Sequence, residues 1–353
     1  MKTEHRFNYE WTLKDANFTK DKGTVFSCFA CGGGSTMGYK LAGFDVLGCN
    51  EIDPKMIEAY KANHNPKYAY LEPIQTFKLR KDLPKELYNL DILDGSPPCS
   101  SFSMAGNREK DWGKEKKFRE GQAEQVLDNL FFDFIDLAKE LQPKVVVAEN
   151  VAGLMMGAAK EYVKKIYKAF QKAGYELKIE PYLLDASKMG VPQRRKRVFF
   201  IALRNDLADQ FMEAVDMFQT APKLDLEFKE NEIRFKEVQD IDINRVELSK
   251  ADYKYWNEAD YKGRAKTDKG NTFGFFYKAL GNLVCSTLDT SSRYTIEQSK
   301  HLLTDNEICK IGSYPLDYNF LNNKPQYLIG MSVPPVMTAQ IAAEINKQWL
   351  SKL

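Results

Sequence analysis

The chain has 353 residues, of which 43% are apolar and 28% charged, as is typical of a globular protein and not of a disordered one. Its polar beginning lacks the apolar run of a signal peptide, and no segment approaches the ~18 consecutive apolar residues of a membrane span. The net charge of +2 by itself predicts no polyanionic partner. The six cysteines are scattered, so we expect reduced thiols and a cytoplasmic location.

The first part of the chain alternates between short apolar runs and segments of helical periodicity. Strands are predicted at 24–30, 46–53, 90–95, 144–150 and 197–203. Helices are predicted at 35–43, 54–64, 127–141 and 161–174. Strand–helix alternation of this kind predicts an α/β fold with a doubly wound, mainly parallel sheet.

The sequence pattern changes after residue 204, where the chain becomes charged, aromatic and irregular. We expect a second, smaller domain over 205–324. Regularity returns near the end with a predicted apolar helix over 335–350. We expect this last part, 325–353, to belong with residues 1–204 in one domain.

A glycine-rich loop, "FACGGGSTMG" (29–38), follows the first strand and opens a helix. Glycines let the backbone approach a ligand closely, and the helix N-terminus offers unpaired N–H groups. The next strand ends in Glu51 and Asp53, where an acid can accept hydrogen bonds from a ribose diol. These features indicate a nucleoside cofactor, and both nicotinamide and adenosylmethionine cofactors fit them. The alternative is a tight turn with a helix-capping acid.

Cys28 and Cys31 also form a C-x-x-C pair in this loop. A structural zinc site needs four ligands, and no second pair or histidine cluster accompanies these two. A redox pair is disfavoured because three glycines follow it. We therefore expect no metal site.

A second motif, "GSPPCSSFS" (95–103), places Cys99 behind two prolines at a strand end. Glu149 stands at the end of another predicted strand, and Arg195 and Arg197 stand at the entrance of a third. Period-two spacing predicts both arginines on one side of that strand. A thiol, an acid and guanidinium groups at one crevice can add to an electron-poor ring, protonate its nitrogen and hold its carbonyl oxygen. Taken singly, each residue also fits a purely structural role.

These motifs and their order resemble those of DNA (cytosine-5) methyltransferases of the bacterial and phage type. The matching stretches are "FACGGGSTMGYKLAGF" (29–44), "NEID" (50–53), "GSPPCSSFS" (95–103), "LFFDFIDLAKELQPKVVVAENV" (130–151), "GVPQRRKRVFFIA" (190–202) and "LIGMSVPP" (328–335). The resemblance implies a Rossmann-like methyltransferase sheet. Residues 1–204 and 325–353 would form the S-adenosylmethionine-dependent catalytic domain, and 205–324 an irregular target-recognition domain with a hinge.

The resemblance also implies the catalytic residues. Cys99 would attack carbon 6 of a flipped cytosine, and Glu149 would bond ring N3 and the exocyclic amine. Arg195 would hold the base oxygen with support from Arg197. Carbon 5 would then take the methyl group of S-adenosylmethionine, leaving S-adenosylhomocysteine.

Further roles follow from the same resemblance. Phe29 and the glycine loop would hold the methionine part of the cofactor, Glu51 the ribose hydroxyls and Ile52 the adenine face. The implied cofactor residues are Phe29, Ala30, Gly33, Gly34, Glu51, Ile52, Glu72, Pro98, Ser332 and Val333. The implied DNA-binding residues are Ser101, Ser103, Arg108, Gln193, Arg264 and Lys266.

Cationic stretches support a polyanion held along one face, although each also fits a solvated surface. They lie at 104–121, 188–204 and 262–269. The first resembles a mobile loop that closes over DNA in the family. Tyr253, Tyr255 and Trp256 fit either DNA contact or the core of the smaller domain.

Several positions depart from the family pattern. Cys31 stands where a glycine is usual, Ser100 where glutamine is common, and His301 where arginine is usual. Glu72 substitutes for an acid of a missing Gly-Asp-Ile block. Met331 replaces a usual asparagine and so loses amide hydrogen bonds near the cofactor.

Rival functions remain at this point: an RNA (tRNA) cytosine-5 methyltransferase, a DNA-binding regulator that has lost catalysis, and a nicotinamide oxidoreductase. The expected partner is double-stranded DNA, with no membrane association. A cognate restriction endonuclease is a further candidate partner. We expect a monomer acting in the cytoplasm at the nucleoid of a bacterial or phage-infected cell. The recognition sequence cannot be read from the residues.

Overall fold

The computed structural model describes residues 4–98, 129–157, 159–214, 217, 219–241, 244–258, 264–266, 272–297 and 299–353. The chain divides into two compact units. The first, called the sheet unit, comprises Asn17–Leu184, Lys196–Glu227 and Ile341–Leu353. The other, called the second unit, comprises Met1–Ala16, Asp185–Arg195 and Phe228–Gln340. The assignment of a catalytic and a target-recognition domain stays a prediction.

The strands are β1 Thr24–Cys28, β2 Asp45–Glu51, β3 Tyr68–Leu71, β4 Ile92–Gly95, β5 Val145–Val151, β6 Tyr175–Glu176, β7 Tyr182–Asp185, β8 Gln193–Arg194, β9 Lys196–Arg204, β10 Met212–Ala214, β11 Thr220–Pro222, β12 Arg264–Lys266, β13 Thr272–Ala279, β14 Cys285–Ser286 and β15 Arg293–Ile296. The α-helices are α1 Gly34–Leu41, α2 Pro54–His64, α3 Ile74–Phe77, α4 Leu130–Leu141, α5 Ala159–Ala173, α6 Asn205–Ala208, α7 Phe235–Val238, α8 Lys250–Glu258, α9 Asp305–Ile311, α10 Pro325–Met331 and α11 Pro335–Gln348.

The largest sheet orders its strands β3-β2-β1-β4-β5-β9-β6, with β7 also paired to β9. Strands β3, β2, β1, β4 and β5 are mutually parallel, whereas β9 runs antiparallel to β5 and to β6. The strand order reverses between β1 and β4, and ligands of open α/β sheets bind outside the carboxyl ends of strands at such a switch point. The predicted doubly wound, mainly parallel sheet is confirmed.

These elements form where the sequence offers apolar runs and helix-start residues. The run Val145–Ala148 in β5 is buried, as expected for a strand covered on both faces. Phe131, Phe134 and Leu141 of α4 lie at helical spacing in the main core. Helix α2 begins where the Asp53 carboxylate accepts hydrogen bonds from the backbone N–H groups of residues 55 and 56, ahead of Pro54 at the first helical position.

Some boundaries differ from the predictions. The first strand ends at Cys28, because Phe29 has φ 53°, a left-handed conformation that a strand does not continue. Helix α1 therefore follows after a loop and begins at Gly34. Strand β3 (Tyr68–Leu71) was not predicted, since four residues are too few to show a period.

In the second unit, a buried ion pair joins an irregular segment of the chain to a helix. Arg245 donates from both terminal nitrogens to the two carboxylate oxygens of Glu307 in α9, each at 2.6 Å. Glu307 also accepts from the backbone N–H of Thr304, the residue that caps this helix. Bidentate, charge-assisted bonds of this kind fix geometry strongly, so they fasten the segment around residue 245 to α9.

The stretch Pro325–Lys352 is long and apolar enough to cross a membrane by length and composition, yet 78% of its most apolar window is buried inside the protein. This is the pattern of a core helix. No membrane-spanning length was expected here from the sequence, because polar residues such as Glu344 and Lys347 interrupt the apolar run.

Candidate active site

Two loops of the sheet unit leave the sheet at its switch point. Residues 29–33, the part of the glycine-rich stretch that precedes α1 and is called the glycine loop from here on, follow β1. The segment 96–98 follows β4, which pairs with β1 from Val25–Ile92 to Cys28–Gly95. Both sequence motifs singled out for chemistry therefore leave from neighbouring strands. This is where the fold predicts a ligand.

The glycine loop combines residues of unusual backbone conformation with an open helix start. Phe29, Cys31 and Gly33 have φ angles of 53°, 49° and 85°. Gly33 is the N-cap of α1, and no side chain caps this helix. The first N–H groups of a helix favour an anion, so the loop suits the carboxylate end of a ligand. Ala30 and Gly34 are buried parts of the same loop and helix start.

Glu51, at the end of β2, is held by three backbone N–H groups. Its Oε1 accepts from residues 52 and 53 at 2.9 Å each, and its Oε2 accepts from Cys31 at 2.7 Å. Burial raises the pKa of this carboxyl group. A carboxylate oxygen accepts about two hydrogen bonds, so Oε2 keeps acceptor capacity. The arrangement, with Ile52 half-buried beside it, fits the ribose diol of a nucleoside cofactor.

His64 supports the glycine loop from the end of α2, a contact that the sequence analysis missed. Its Nε2 lies 3.2 Å from the carbonyl oxygen of Gly32, and its ring packs against Tyr60. Burial lowers the pKa of His64 to about 3, so the ring is neutral at physiological pH. A neutral buried imidazole under the loop shapes the backbone without adding charge.

The Pro97–Pro98 segment is fastened next to Glu149. Asn150 donates from Nδ2 to the carbonyl oxygen of Pro97 at 3.1 Å, within the buried interior. Glu149, in β5 beside β4, forms an ion pair with Arg197 of β9, with Nε and Oε1 2.9 Å apart. Burial lowers the pKa of Arg197. The acid and one predicted arginine therefore lie beside the chain that leads into Cys99.

Asp94, in β4, was also missed. Its Oδ2 accepts from the hydroxyls of Ser27 and Ser35 at 2.8 and 2.7 Å, and its Oδ1 from Tyr39 at 3.2 Å. Burial, followed by the charge of Glu149, raises the pKa of Asp94 to about 6, although the three hydroxyls act in the opposite direction. Asp94 could have been predicted from the sequence, because it lies at the end of an apolar strand, the same feature by which Glu149 was recognised.

Six predicted site residues lie in the second unit, and the structure describes the side chains of four of them. Arg195 is buried and donates to the backbone carbonyls of Leu288 and Gly330 at 3.0 Å each. Gln193 is buried between Ile311 and Leu288 and bonds the backbone of both. The remaining two, at the end of α10, are the buried Ser332 and Val333.

The expectation that Arg195 and Arg197 share one side of one strand is wrong. Arg195 lies between β8 and β9, whereas Arg197 is in β9, and the two belong to different units. Strands β8 and β9 are separate, and the carbonyl of Arg195 between them accepts a hydrogen bond from the N–H of Ala186. Period-two reasoning requires a continuous strand.

Glu72 is engaged elsewhere. Its carboxylate accepts from Arg80 at 2.9 Å and from Thr76 at 3.1 Å. The neighbouring backbone joins it to Glu51, whose carbonyl accepts from the Glu72 N–H. Its placement beside β2 suits the predicted role, but its side chain is committed to a local ion pair.

Other predicted residues lie outside the described part of the chain. These are Cys99, Ser100, Ser101, Ser103 and Arg108. Arg264 and Lys266 lie on β12, where the structure describes the backbone alone. Trp256 is 7% exposed and packs in a small core with Leu248 and Phe276, which favours its structural reading.

Neither Cys28 nor Cys31 forms a disulfide bond. Among the described residues, no group of three or more His, Cys, Asp or Glu side chains is placed to hold a metal ion. Burial raises the pKa of Cys28 well above its usual value, so this thiol is protonated and unreactive.

Comparison with known proteins places these features in a family. The family model described as C-5 cytosine-specific DNA methylase matches residues 23–347. The chain is 27% identical over 351 residues to the Type II methyltransferase M.NgoPII of Neisseria gonorrhoeae, covering 92% of this chain and 95% of that protein. It is 36% identical over 183 residues to the Type II methyltransferase M.FnuDI of Fusobacterium nucleatum, covering 52% of this chain and 47% of that protein.

Solved structures agree in fold. A DNA modification methyltransferase encoded within a prophage of E. coli superposes with a TM-score of 0.66 at 19% identity, covering 92% of this chain and 99% of that one. The Dnmt2 methyltransferase of S. pombe superposes with a TM-score of 0.59 at 16% identity, covering 92% of this chain and 98% of that one. The predicted methyltransferase fold is confirmed.

Proposed function

The chain belongs to the C-5 cytosine-specific DNA methylase family, and we propose that it methylates carbon 5 of a flipped cytosine within a specific sequence of double-stranded DNA. In this proposal the cofactor is S-adenosylmethionine, the second product is S-adenosylhomocysteine, and Cys99 forms a covalent adduct at carbon 6. The target base must leave the duplex to reach such residues.

One observation carries the proposal most directly. The Asn150–Pro97 hydrogen bond fastens the segment preceding Cys99 beside the strand that bears Glu149. A nucleophile and an acid on neighbouring strand ends can act on two atoms of one ring, here carbon 6 and ring N3. The ion pair with Arg197 keeps the Glu149 side chain in place.

The proposed chemistry uses these residues as follows. The Cys99 thiolate donates an electron pair to carbon 6, and the electrons of the carbon 5–carbon 6 double bond move through carbon 4 toward ring N3, which makes carbon 5 nucleophilic. Glu149 bonds ring N3 and the exocyclic amine, which draws electrons from carbon 6 and favours the addition. Bound S-adenosylmethionine supplies an electrophilic methyl group, which carbon 5 takes. Loss of the carbon 5 proton to a base restores the double bond and releases Cys99.

The cofactor is proposed to bind at the glycine loop. Phe29 and the start of α1 hold its methionine part, and Glu51 accepts from its ribose hydroxyls. The remaining proposed contacts are Ala30, Gly33, Gly34, Ile52, Glu72, Pro98, Ser332 and Val333. The open helix start and the acceptor capacity of Glu51 support this assignment.

The DNA contacts and the setting are proposals of the same kind. Arg195 contacts the base oxygen with support from Arg197, and the DNA is held by Ser101, Ser103, Arg108, Gln193, Arg264 and Lys266. The enzyme acts as a monomer on DNA in the cytoplasm. A cognate restriction endonuclease is proposed as a partner because relatives such as M.NgoPII are named Type II methyltransferases.

Covalent trapping tests the proposal. Duplex DNA from a random-sequence pool containing 5-fluorocytosine is incubated with the protein and S-adenosylmethionine. We expect a denaturation-resistant adduct in the wild type and none in Cys99→Ala. Absence of the adduct in the wild type overturns the proposed mechanism.

Bisulfite sequencing of DNA and RNA from cells expressing the chain tests the substrate. Protected cytosines in one DNA sequence context are expected, with Cys99→Ala as the control. Protection found in RNA alone overturns the DNA assignment.

A further inference from the structure

Acidic side chains follow one another along the carboxyl ends of the central strands. Glu51 ends β2, Asp94 lies in β4 and Glu149 lies in β5, while β1 runs between the first two. Glu149 is paired with Arg197. Among the described residues, neither Glu51 nor Asp94 has a cationic partner.

The partners of Asp94 carry no formal charge. Ser27, Ser35 and Tyr39 each donate a hydroxyl hydrogen bond, and the Asp94 side chain is buried with 3% exposure. Hydroxyl donors stabilise the carboxylate without neutralising it. The pKa of about 6 means that Asp94 is largely ionised at pH 7 and above.

The same hydroxyls place Asp94 directly beneath the glycine loop. Ser27 precedes the last residue of β1, and Ser35 lies in the first turn of α1, so the two flank the loop from both ends. Asp94 is therefore hydrogen-bonded to residues on both sides of the loop. In a buried environment a charge without a cationic partner interacts more strongly with a charged ligand than it would in water.

We propose that ionised Asp94 makes the glycine-loop site prefer a positively charged sulfonium ligand to the neutral thioether left after methyl transfer. Asp94 is thus a specificity-determining residue that favours replacement of the product, S-adenosylhomocysteine, by S-adenosylmethionine. The inference rests on the proposed function, in which this loop binds the cofactor.

The titration of Asp94 can be distinguished from that of the other titratable groups near it. Tyr39 and Cys28 stay protonated, because burial and the charge of Asp94 raise both pKa values well above their usual ranges. The pKa of Glu51 is also raised by burial. The difference between the wild type and Asp94→Asn therefore reports Asp94, and any pH dependence that survives in the variant comes from other acids such as Glu51.

The test compares the dissociation constants of the two ligands by calorimetry, in the absence of DNA, between pH 5 and 8. The measured quantity is the ratio of the S-adenosylhomocysteine constant to the S-adenosylmethionine constant. Both ligands carry the same amino acid group, so its own titration cancels. At pH 7.5 we expect this ratio to fall about tenfold in Asp94→Asn, because one favourable charge interaction with the sulfonium is lost.

The wild-type ratio should also fall toward that of Asp94→Asn as the pH is lowered through about 6, which tests the inference even if the variant does not fold. Asp91→Asn is the matched control, because Asp91 precedes the same strand but is paired with Lys144. Its ratio should equal that of the wild type.

Four outcomes overturn the inference. An unchanged ratio in a folded Asp94→Asn removes the role of charge, and equal weakening of both ligands assigns Asp94 a structural role. A wild-type ratio that does not change between pH 5 and 8 also shows that the charge of Asp94 does not affect the choice of ligand. A wild type that binds neither ligand overturns the proposed cofactor site as well, which separates the two failures.

Discussion

The titratable residues around the glycine loop are buried in ways that change their protonation. Glu51 and Asp94 have raised pKa values, and His64 has a lowered one, each chiefly because burial disfavours the charged form. Perturbed groups of this kind cluster at functional sites. Each charged or desolvated group also costs stability, so the site is held in place by the surrounding fold.

Replacement of Glu149 by Gln should slow methyl transfer about 10²- to 10⁴-fold, as expected for loss of a group that handles a proton. Binding of S-adenosylhomocysteine should be retained, because the glycine loop and Glu51 are intact. Single-turnover methyl transfer and calorimetry measure the two quantities. Glu161→Gln, in α5, is the control, and full activity of Glu149→Gln contradicts the proposed role.

His64 should make stability depend on pH. The unfolded chain takes up a proton on this histidine near pH 6.5, whereas the folded protein does so only near pH 3. Stability from this residue is therefore complete above about pH 6.5 and is lost as the pH falls, by at most about 1.4 kcal/mol per pH unit.

Urea unfolding of the wild type and His64→Asn at pH 7, 6 and 5 measures this contribution. The stability advantage of the wild type should shrink toward pH 5. His301→Asn controls for the loss of an imidazole at a less buried position. A constant difference between wild type and His64→Asn contradicts the prediction.

At the scale of elements, the start of α1 is packed against the end of α2. A Cβ atom added at Gly33 would lie 2.2 Å from Nε2 of His64, and Gly33 has φ +85°. Gly174, at the end of α5, has a similar φ of +93° with nothing within 4 Å of the added atom. Alanine substitutions at the two positions therefore allow the cost of backbone strain to be measured separately from the cost of crowding.

Gly174→Ala should cost about 1–2 kcal/mol of unfolding free energy from the left-handed backbone alone. Gly33→Ala should cost about 1–3 kcal/mol more, because the methyl group meets the imidazole. In the double variant Gly33→Ala/His64→Ala, the added cost should be less than the sum of the two single changes. Chemical denaturation measures these variants and the single variant His64→Ala, and equal costs for the two glycine variants rule out the clash.

For the whole molecule, a net charge of +2 leaves little general attraction for DNA. Binding must then depend on local cationic segments, such as those around β12 and after Cys99. Each phosphate contact releases counterions and makes the affinity salt-dependent. The salt dependence of the binding constant therefore reports the number of phosphate contacts that the folded protein makes.

The double variant Arg264→Ala/Lys266→Ala should reduce the slope of log K against log salt by about two, if both side chains contact phosphates. Fluorescence anisotropy with a cognate duplex at several salt concentrations measures the slope. Lys164→Ala/Lys168→Ala is the matched control, because these exposed lysines lie on α5 and are assigned no DNA contact. An unchanged slope in the first variant removes β12 from the DNA-binding surface.

The sequence by itself determined the sheet class, the helix-start acid Asp53, the glycine loop and the family. Periodicity, capping residues and the order of motifs are local properties, and they can be read along the chain. Glu51, Glu149 and Arg197 were recognised because each lies at or near the end of an apolar strand.

Only the tertiary structure decided which of these residues meet. Asp94, His64 and Asn150 make their contacts through partners distant in sequence, such as Ser35, Gly32 and Pro97. Arg195 shows the reverse case, since it lies between two strands and its side chain bonds the carbonyls of Leu288 and Gly330, whereas Arg197 pairs with Glu149. Contacts between distant segments depend on strand order and on where the backbone turns, and neither is encoded in a local pattern.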